Sequence, residues 1–218
     1  MRLGPVLLGG LAALATAGCG GAKPDASATA NAQAPMGNAL LDPDKELARR
    51  WDKLFSDPAA AVAAANEFGY KAGPYAASGT TFGATGEQLL PDAKAPVTVR
   101  TRFAATGAAA GRVDAVTFTF DISDTTRKNS AQLDKIQAYP SRIVRGFLGR
   151  FDVSAGDDAR RAIQEFQSVT ADRQGGGTVK VDTASIPGAG ANARRITVMI
   201  FKTGAPAPAQ PLESAARK

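Results

Sequence analysis

From position 97 the chain adopts a period of two. Val97, Val99, Thr101 and Phe103 alternate with Thr98, Arg100 and Arg102. Beyond a turn between Gly107 and Gly111, Val116, Phe118, Phe120 and Ile122 alternate with Thr117, Thr119 and Asp121. A strand sends successive side chains to opposite faces, so each run has one apolar and one polar row. Set antiparallel, with Val97 opposite Phe120 and Val99 opposite Phe118, the two runs bring both apolar rows to one face. The other face then carries Arg100, Arg102, Thr117, Thr119 and Asp121. A sheet with one apolar face needs a cover, and the rest of the chain must supply it.

Helical segments flank this hairpin. Asp42, Pro43 and Asp44 form a start signal: a capping carboxylate, a proline suited to the first helical position, and an acid that complements the N-terminal dipole. Leu47, Trp51, Leu54 and Phe55 follow at helical spacing. Asp57 and Pro58 repeat the signal for an alanine-rich helix that stops near Gly69. The pair reads as an αα-hairpin, with Trp51 in a core or docking role. Residues 70–95 hold many glycines and prolines and predict an irregular stretch with at most one short strand near residues 80–82. Residues 127–150 predict a helix that Pro140 breaks or restarts. Residues 157–169 predict a short amphipathic helix, with Asp157 as its cap. Gly175, Gly176 and Gly177 then lead into a second hairpin, with Val179 and Val181 facing Val198 and Ile196.

The predicted class is α+β: about four antiparallel strands in two hairpins, helices on one face, and a preceding αα-hairpin. The predicted domain spans residues 42–203, with 42–69 the helical hairpin and 70–95 irregular. Residues 204–218 read as a disordered Pro/Ala tail, and 19–41, rich in Ala, Gly, Asn, Ser, Thr and Pro, as a flexible tether. A tether of that length has a reach of roughly 25 Å.

The first 18 residues have the form of an export signal. Arg2 supplies the charge, residues 3–14 the apolar stretch, and Ala15, Thr16, Ala17 and Gly18 the small residues of a cleavage site. The stretch is shorter than the roughly 20 apolar residues a membrane span needs. Thr16, Ala17, Gly18 and Cys19 resemble the lipobox of bacterial lipoprotein precursors, with Thr16 in the place usually held by leucine. The resemblance implies cleavage before Cys19 and acylation, including palmitate, of that cysteine. Several acyl chains on one residue anchor a protein stably, at about 0.8 kcal/mol per buried CH₂. It also implies a place in the cell envelope facing the periplasm, with Gly20 after the cysteine favouring the outer membrane. Ala15, Thr16 and Ala17 also fit an ordinary A-x-A cleavage site, which would release a secreted or periplasmic soluble protein.

Composition limits the chemistry. The chain has no histidine and one cysteine. Ser–His–Asp and Cys–His constellations and the common histidine zinc sites are therefore excluded. Cys19, committed to the anchor, removes thiolate ligands, and neither G-x-S-x-G nor S-x-x-K occurs. No cofactor and no metal site is expected. Gly175, Gly176 and Gly177 lack the Lys-Ser/Thr of a phosphate loop. The remaining catalytic option is a carboxylate-dependent envelope hydrolase, with Asp121 and Asp124 or Asp157 and Asp158 as candidate pairs. The favoured expectation is a non-catalytic lipoprotein that binds a protein or an anionic envelope component.

Charge locates the candidate surface. The whole chain carries +6, and Arg2 is the only charged residue of the leader, so +5 remains beyond it. Residues 127–150 hold six bases and one acid, Asp134. Lys128, Lys135 and Arg142 follow at intervals of seven, with Arg145 three further on, so an unbroken helix would align them. Such a surface suits anionic lipid or glycan, at about 1 kcal/mol per base near an anionic surface. No aromatics interleave with the bases, so nucleic acid is not an expected partner. Arg100, Arg102 and Asp121 form a second polar group, which cross-strand ion pairing would explain.

Overall fold

The computed structural model describes residues 42–90, 97–124, 130–186 and 193–206. The leader, Cys19, the tether, Lys128 and most of the tail lie outside them. In chain order the elements are α1 (Pro43–Ser56), α2 (Pro58–Asn66), β1 (Ala76–Ser78), β2 (Thr81–Leu90), β3 (Val97–Gly107), β4 (Ala115–Asp124), α3 (Ser130–Gly149), α4 (Gly156–Glu165), β5 (Val169–Arg173), β6 (Gly177–Ser185) and β7 (Arg194–Lys202).

All seven strands form one antiparallel sheet in the order β1-β2-β3-β4-β7-β6-β5. The class is α+β, but the expectation of about four strands in two hairpins is corrected: β1, β2 and β5 extend the sheet. The missed strands lack the alternating signature. The core-facing row of β2 is Phe82, Ala84, Gly86, Gln88 and Leu90, and its three central positions hold no large apolar residue. Gly86 is small for a reason, since a Cβ there would fall 2.5 Å from the Tyr70 carbonyl oxygen. The backbone of residues 70–72 crosses directly over this strand and takes the room that side chains would fill.

The registers also differ from the predicted ones, by even numbers of residues. Val99 lies opposite Ile122 rather than Phe118, and Val181 opposite Val198 rather than Ile196. An even slip leaves each side chain on its own face, so the apolar rows still meet. The first hairpin runs further than its apolar pattern because Ala104, Ala105 and Thr106 keep pairing. Its loop is held by the Ala108 N–H donating to Asp114 Oδ2 at 2.8 Å.

Helices α1 to α4 cover one face. Trp51, Leu54 and Phe55 of α1, Ala61 and Ala65 of α2, Val144, Phe147 and Leu148 of α3, and Ala159 and Ile163 of α4 are buried with Phe103, Phe118, Phe120, Ile196 and Val198. Phe118 and Phe147 meet edge-on at 5.0 Å between centroids. Two caps start the first helices: Asp42 Oδ1 accepts from the Asp44 N–H at 3.1 Å and Asp57 Oδ1 from the Ala60 N–H at 2.9 Å. Pro140 does not break α3, which runs through it. Asp157 is not the cap of α4; that position belongs to Ala155 and Asp157 stands in the first turn.

The opposite face of the sheet is polar. It carries Thr98, Arg100, Arg102, Thr117, Thr119, Asp121, Lys180, Asp182, Arg195 and Thr197. Its apolar patch is Ala115, Met199 and Phe201, against which Ala205 packs. Among the described residues, no helix is long and apolar enough to cross a membrane.

Candidate functional site

The charged surface read from sequence centres on α3. Because the helix continues through Pro140, position 135 lies two turns before Arg142 on the same side, and Arg145 follows one turn later. Arg142 and Arg145 are exposed, while Ile143, Val144, Phe147 and Leu148 between and beside them are buried. The alternation is what an amphipathic helix on a core requires. The Arg142 guanidinium stands 5.8 Å from the Tyr139 ring centroid, within cation–π range. Neither Arg142 nor Arg145 has a carboxylate partner among the described residues. Most other arginines do: Arg50 pairs with Glu46, Arg112 with Asp114, Arg150 with Glu67, Arg160 with Asp157 and Arg173 with Asp158.

The second polar group lies on the open face of the sheet. Asp121 is the cross-strand neighbour of both Arg100 and Arg195. Its side chain is only 14% exposed. Arg102 Nη2 donates to Oδ2 at 2.7 Å, Arg195 Nε to Oδ1 at 2.6 Å, and Arg195 Nη2 to Oδ2 at 3.1 Å. Arg100 leans the other way, with Nη1 3.5 Å from Glu87 Oε1. A hollow of about 420 Å³ lies over this group, lined by the three arginines, Asp121, Thr98 and Ser123 together with the apolar Leu89 and Ile186. The alternation of β3 and β4 placed Arg100, Arg102 and Asp121 together. Arg195 was missed, because only the β4–β7 pairing brings it there. Its signal was the parity of β7, where Arg195 and Thr197 alternate with Ile196 and Val198.

Of the candidate catalytic carboxylates, Asp121, Asp157 and Asp158 pair with arginine. Partial burial pushes the Asp158 carboxyl up, but hydrogen bonds from Arg173 and from the Ala159 N–H outweigh it and hold the group below the usual carboxylate range. Asp121 lies on the open face and Asp158 on the helix layer. Asp124 ends β4, opposite Val97. Among the described residues, no group of three or more acids is placed to hold a metal ion.

Inside the core, burial pushes the Tyr70 hydroxyl well above the ordinary tyrosine range. Neither Tyr70 Oη nor the nearby Thr101 Oγ1 has a hydrogen-bond partner of ordinary geometry among the described residues. Tyr139 Oη and Gln88 Oε1 form a weak contact at 3.4 Å close by.

Together these features define an α+β domain with one helix-covered face and one largely polar face. Compared with protein-family models, curated proteins and solved structures, the chain matches none.

Proposed function

We propose that the protein is a non-catalytic cell-envelope lipoprotein, anchored through Cys19, whose α+β domain binds an anionic envelope component through α3. The observation that carries this reading is the pair Arg142 and Arg145, exposed and without carboxylate partners among the described residues, on one side of an unbroken helix. Lys135 occupies the matching position two turns earlier. A guanidinium not engaged by a carboxylate keeps N–H donors for an external phosphate or carboxylate. The roughly 25 Å tether gives the domain the reach to meet the surface it hangs from. Asp158, held ionised by Arg173, makes a poor proton donor, which favours binding over carboxylate-dependent hydrolysis.

The test uses the full chain with Cys19→Ser, so that an acyl anchor does not mask weaker contacts. Binding to isolated envelope membranes should be salt-sensitive, and charge reversal at Lys135, Arg142 and Arg145 should abolish it. Unchanged retention in the triple variant would overturn the reading. Mass measurement of the wild-type mature N-terminus checks the anchor: an acylated Cys19 is expected, and an N-terminal Gly18 with a free thiol at Cys19 would refute it.

A further inference from the structure

The base-bearing side of α3 does not stand alone. Phe68, in the loop after α2, sits against Gly146, where a Cβ would come within 2.6 Å of the ring. Gln88 of β2 touches both elements: a Cβ on Gly69 would lie 3.0 Å from its amide nitrogen, and its Oε1 is 3.4 Å from Tyr139 Oη. The loop and α3 therefore form one continuous surface. Along it the charge has a single sign. Residues 68–86 and 138–150 hold four bases, Lys71, Arg142, Arg145 and Arg150, and no acid. The acids at the two ends of the first segment are occupied, Glu67 by Arg150 and Glu87 by Arg100. Lys71 is exposed, in left-handed backbone with φ at +53°, and has no carboxylate partner among the described residues. Phe68 and Tyr139 are half-buried, and the Arg142 guanidinium lies over the Tyr139 ring.

We propose that Lys71, Arg142 and Arg145 dock this surface on an anionic phospholipid bilayer and take up its headgroup phosphates. This rests on the α3 reading above and narrows the partner to lipid. A bilayer presents its phosphates across a plane, and bases spread over a loop and a helix match a plane of charge. Guanidinium groups bind phosphate through several N–H donors at once, while the Lys71 ammonium adds a point charge. Tyr139 joins an apolar ring to a polar tip, the form of side chain that settles at the headgroup level of a membrane. A tether anchored in the same bilayer holds the domain at high effective concentration, so a weak surface contact is enough to orient it.

The test uses the mature chain from residue 19 on, with Cys19→Ser, which carries neither leader nor acyl group. Sedimentation measures its binding to vesicles of phosphatidylcholine and to vesicles of phosphatidylcholine mixed equally with phosphatidylglycerol. Binding to the anionic vesicles alone is expected, and it should fall as salt rises. Lys71→Gln should weaken it by about fivefold, the share of one base near an anionic surface. Arg100→Gln, on the polar face of the sheet, should leave it unchanged. A polarity-sensitive fluorophore then reports which side docks. Attached at Ala138→Cys, an exposed position one turn before Arg142, it should shift to the blue on anionic vesicles. Attached at Thr85→Cys, exposed on the polar face, it should not. Binding to neither vesicle, equal binding to both, full affinity in Lys71→Gln, or a shift at position 85 that matches the one at 138 would each overturn the proposal. A protein retained on envelope membranes through Lys135, Arg142 and Arg145 but indifferent to anionic vesicles would refute lipid as the partner and leave the α3 reading standing. Loss of both kinds of binding would refute the two together.

Discussion

The two faces of the sheet use the same alternating strands for opposite ends. On the covered face Phe103, Phe118, Phe120, Ile196 and Val198 are sealed under four helices. On the polar face the same strands carry threonines and arginines, and Asp121 ties Arg102 to Arg195 across the sheet. Stability is concentrated on the first face, because burial of large side chains outweighs partly exposed ion pairs by severalfold. The second face is then free to vary its charges without unfolding the domain. Substitutions on the two faces should therefore separate cleanly by size.

The largest effect is expected at Trp51. Its ring is 1% exposed and lies over the β5–β6 turn, with Nε1 donating to the Gln174 carbonyl at 3.1 Å. Trp51→Ala should cost about 3–5 kcal/mol in urea unfolding. The converse substitution tests the same contact. A Cβ on Gly177 would come within 2.5 Å of the indole, so Gly177→Ala should cost about 1–3 kcal/mol by overpacking. A Gly177→Ala protein as stable as its parent would show that the ring is not seated there.

This contact also marks how far the sequence could be read. The helix starts at Asp42 and Asp57, the two long alternating strands and the apolar side of α3 follow from local chemistry, and all of them are present. The glycines at 175–177 read only as a turn, because the partner that requires Gly177 is more than a hundred residues away. The strand β2 was hidden for a similar reason: its Gly86 answers to the Tyr70 backbone, not to its neighbours in sequence. The open-face group was half legible. Arg100, Arg102 and Asp121 share one predicted hairpin, whereas Arg195 joins them only through a long-range strand pairing. Pro140 misled in the other direction, since packing of Ile143, Val144 and Phe147 on the sheet holds α3 through a residue that alone favours a break.

An intermediate effect of opposite sign is expected at Tyr70. The residue is fully buried and its hydroxyl is unpartnered among the described residues, so the fold carries a desolvated polar group on its covered face. Tyr70→Phe removes that group and keeps the ring contacts with Phe103 and Phe118, at 5.8 and 5.7 Å. It should raise stability by about 1 kcal/mol. Alkaline pH offers an independent readout. Burial raises the folded-state pKa of Tyr70, so the unfolded chain ionises first, near pH 10. The stability tied to the neutral hydroxyl is complete below pH 10 and is lost as pH rises beyond it. Tyr70→Phe should show a shallower loss over that range. An equally steep loss in the variant would assign it to other groups, among them Tyr75 and Tyr139, which burial also raises.

The smallest effect belongs to the open face. Arg100 and Glu87 are each about half exposed and 3.5 Å apart. Such a pair gains little in water and is screened by salt, so Arg100→Gln should change the unfolding free energy by less than about 0.5 kcal/mol. A loss of 2 kcal/mol or more, on the scale of a buried pair, would mean that the open face helps to hold the fold and that the contrast between the faces is false. A near-zero value would leave the stability of the fold with the helix-covered face, where Trp51 and Tyr70 act through packing.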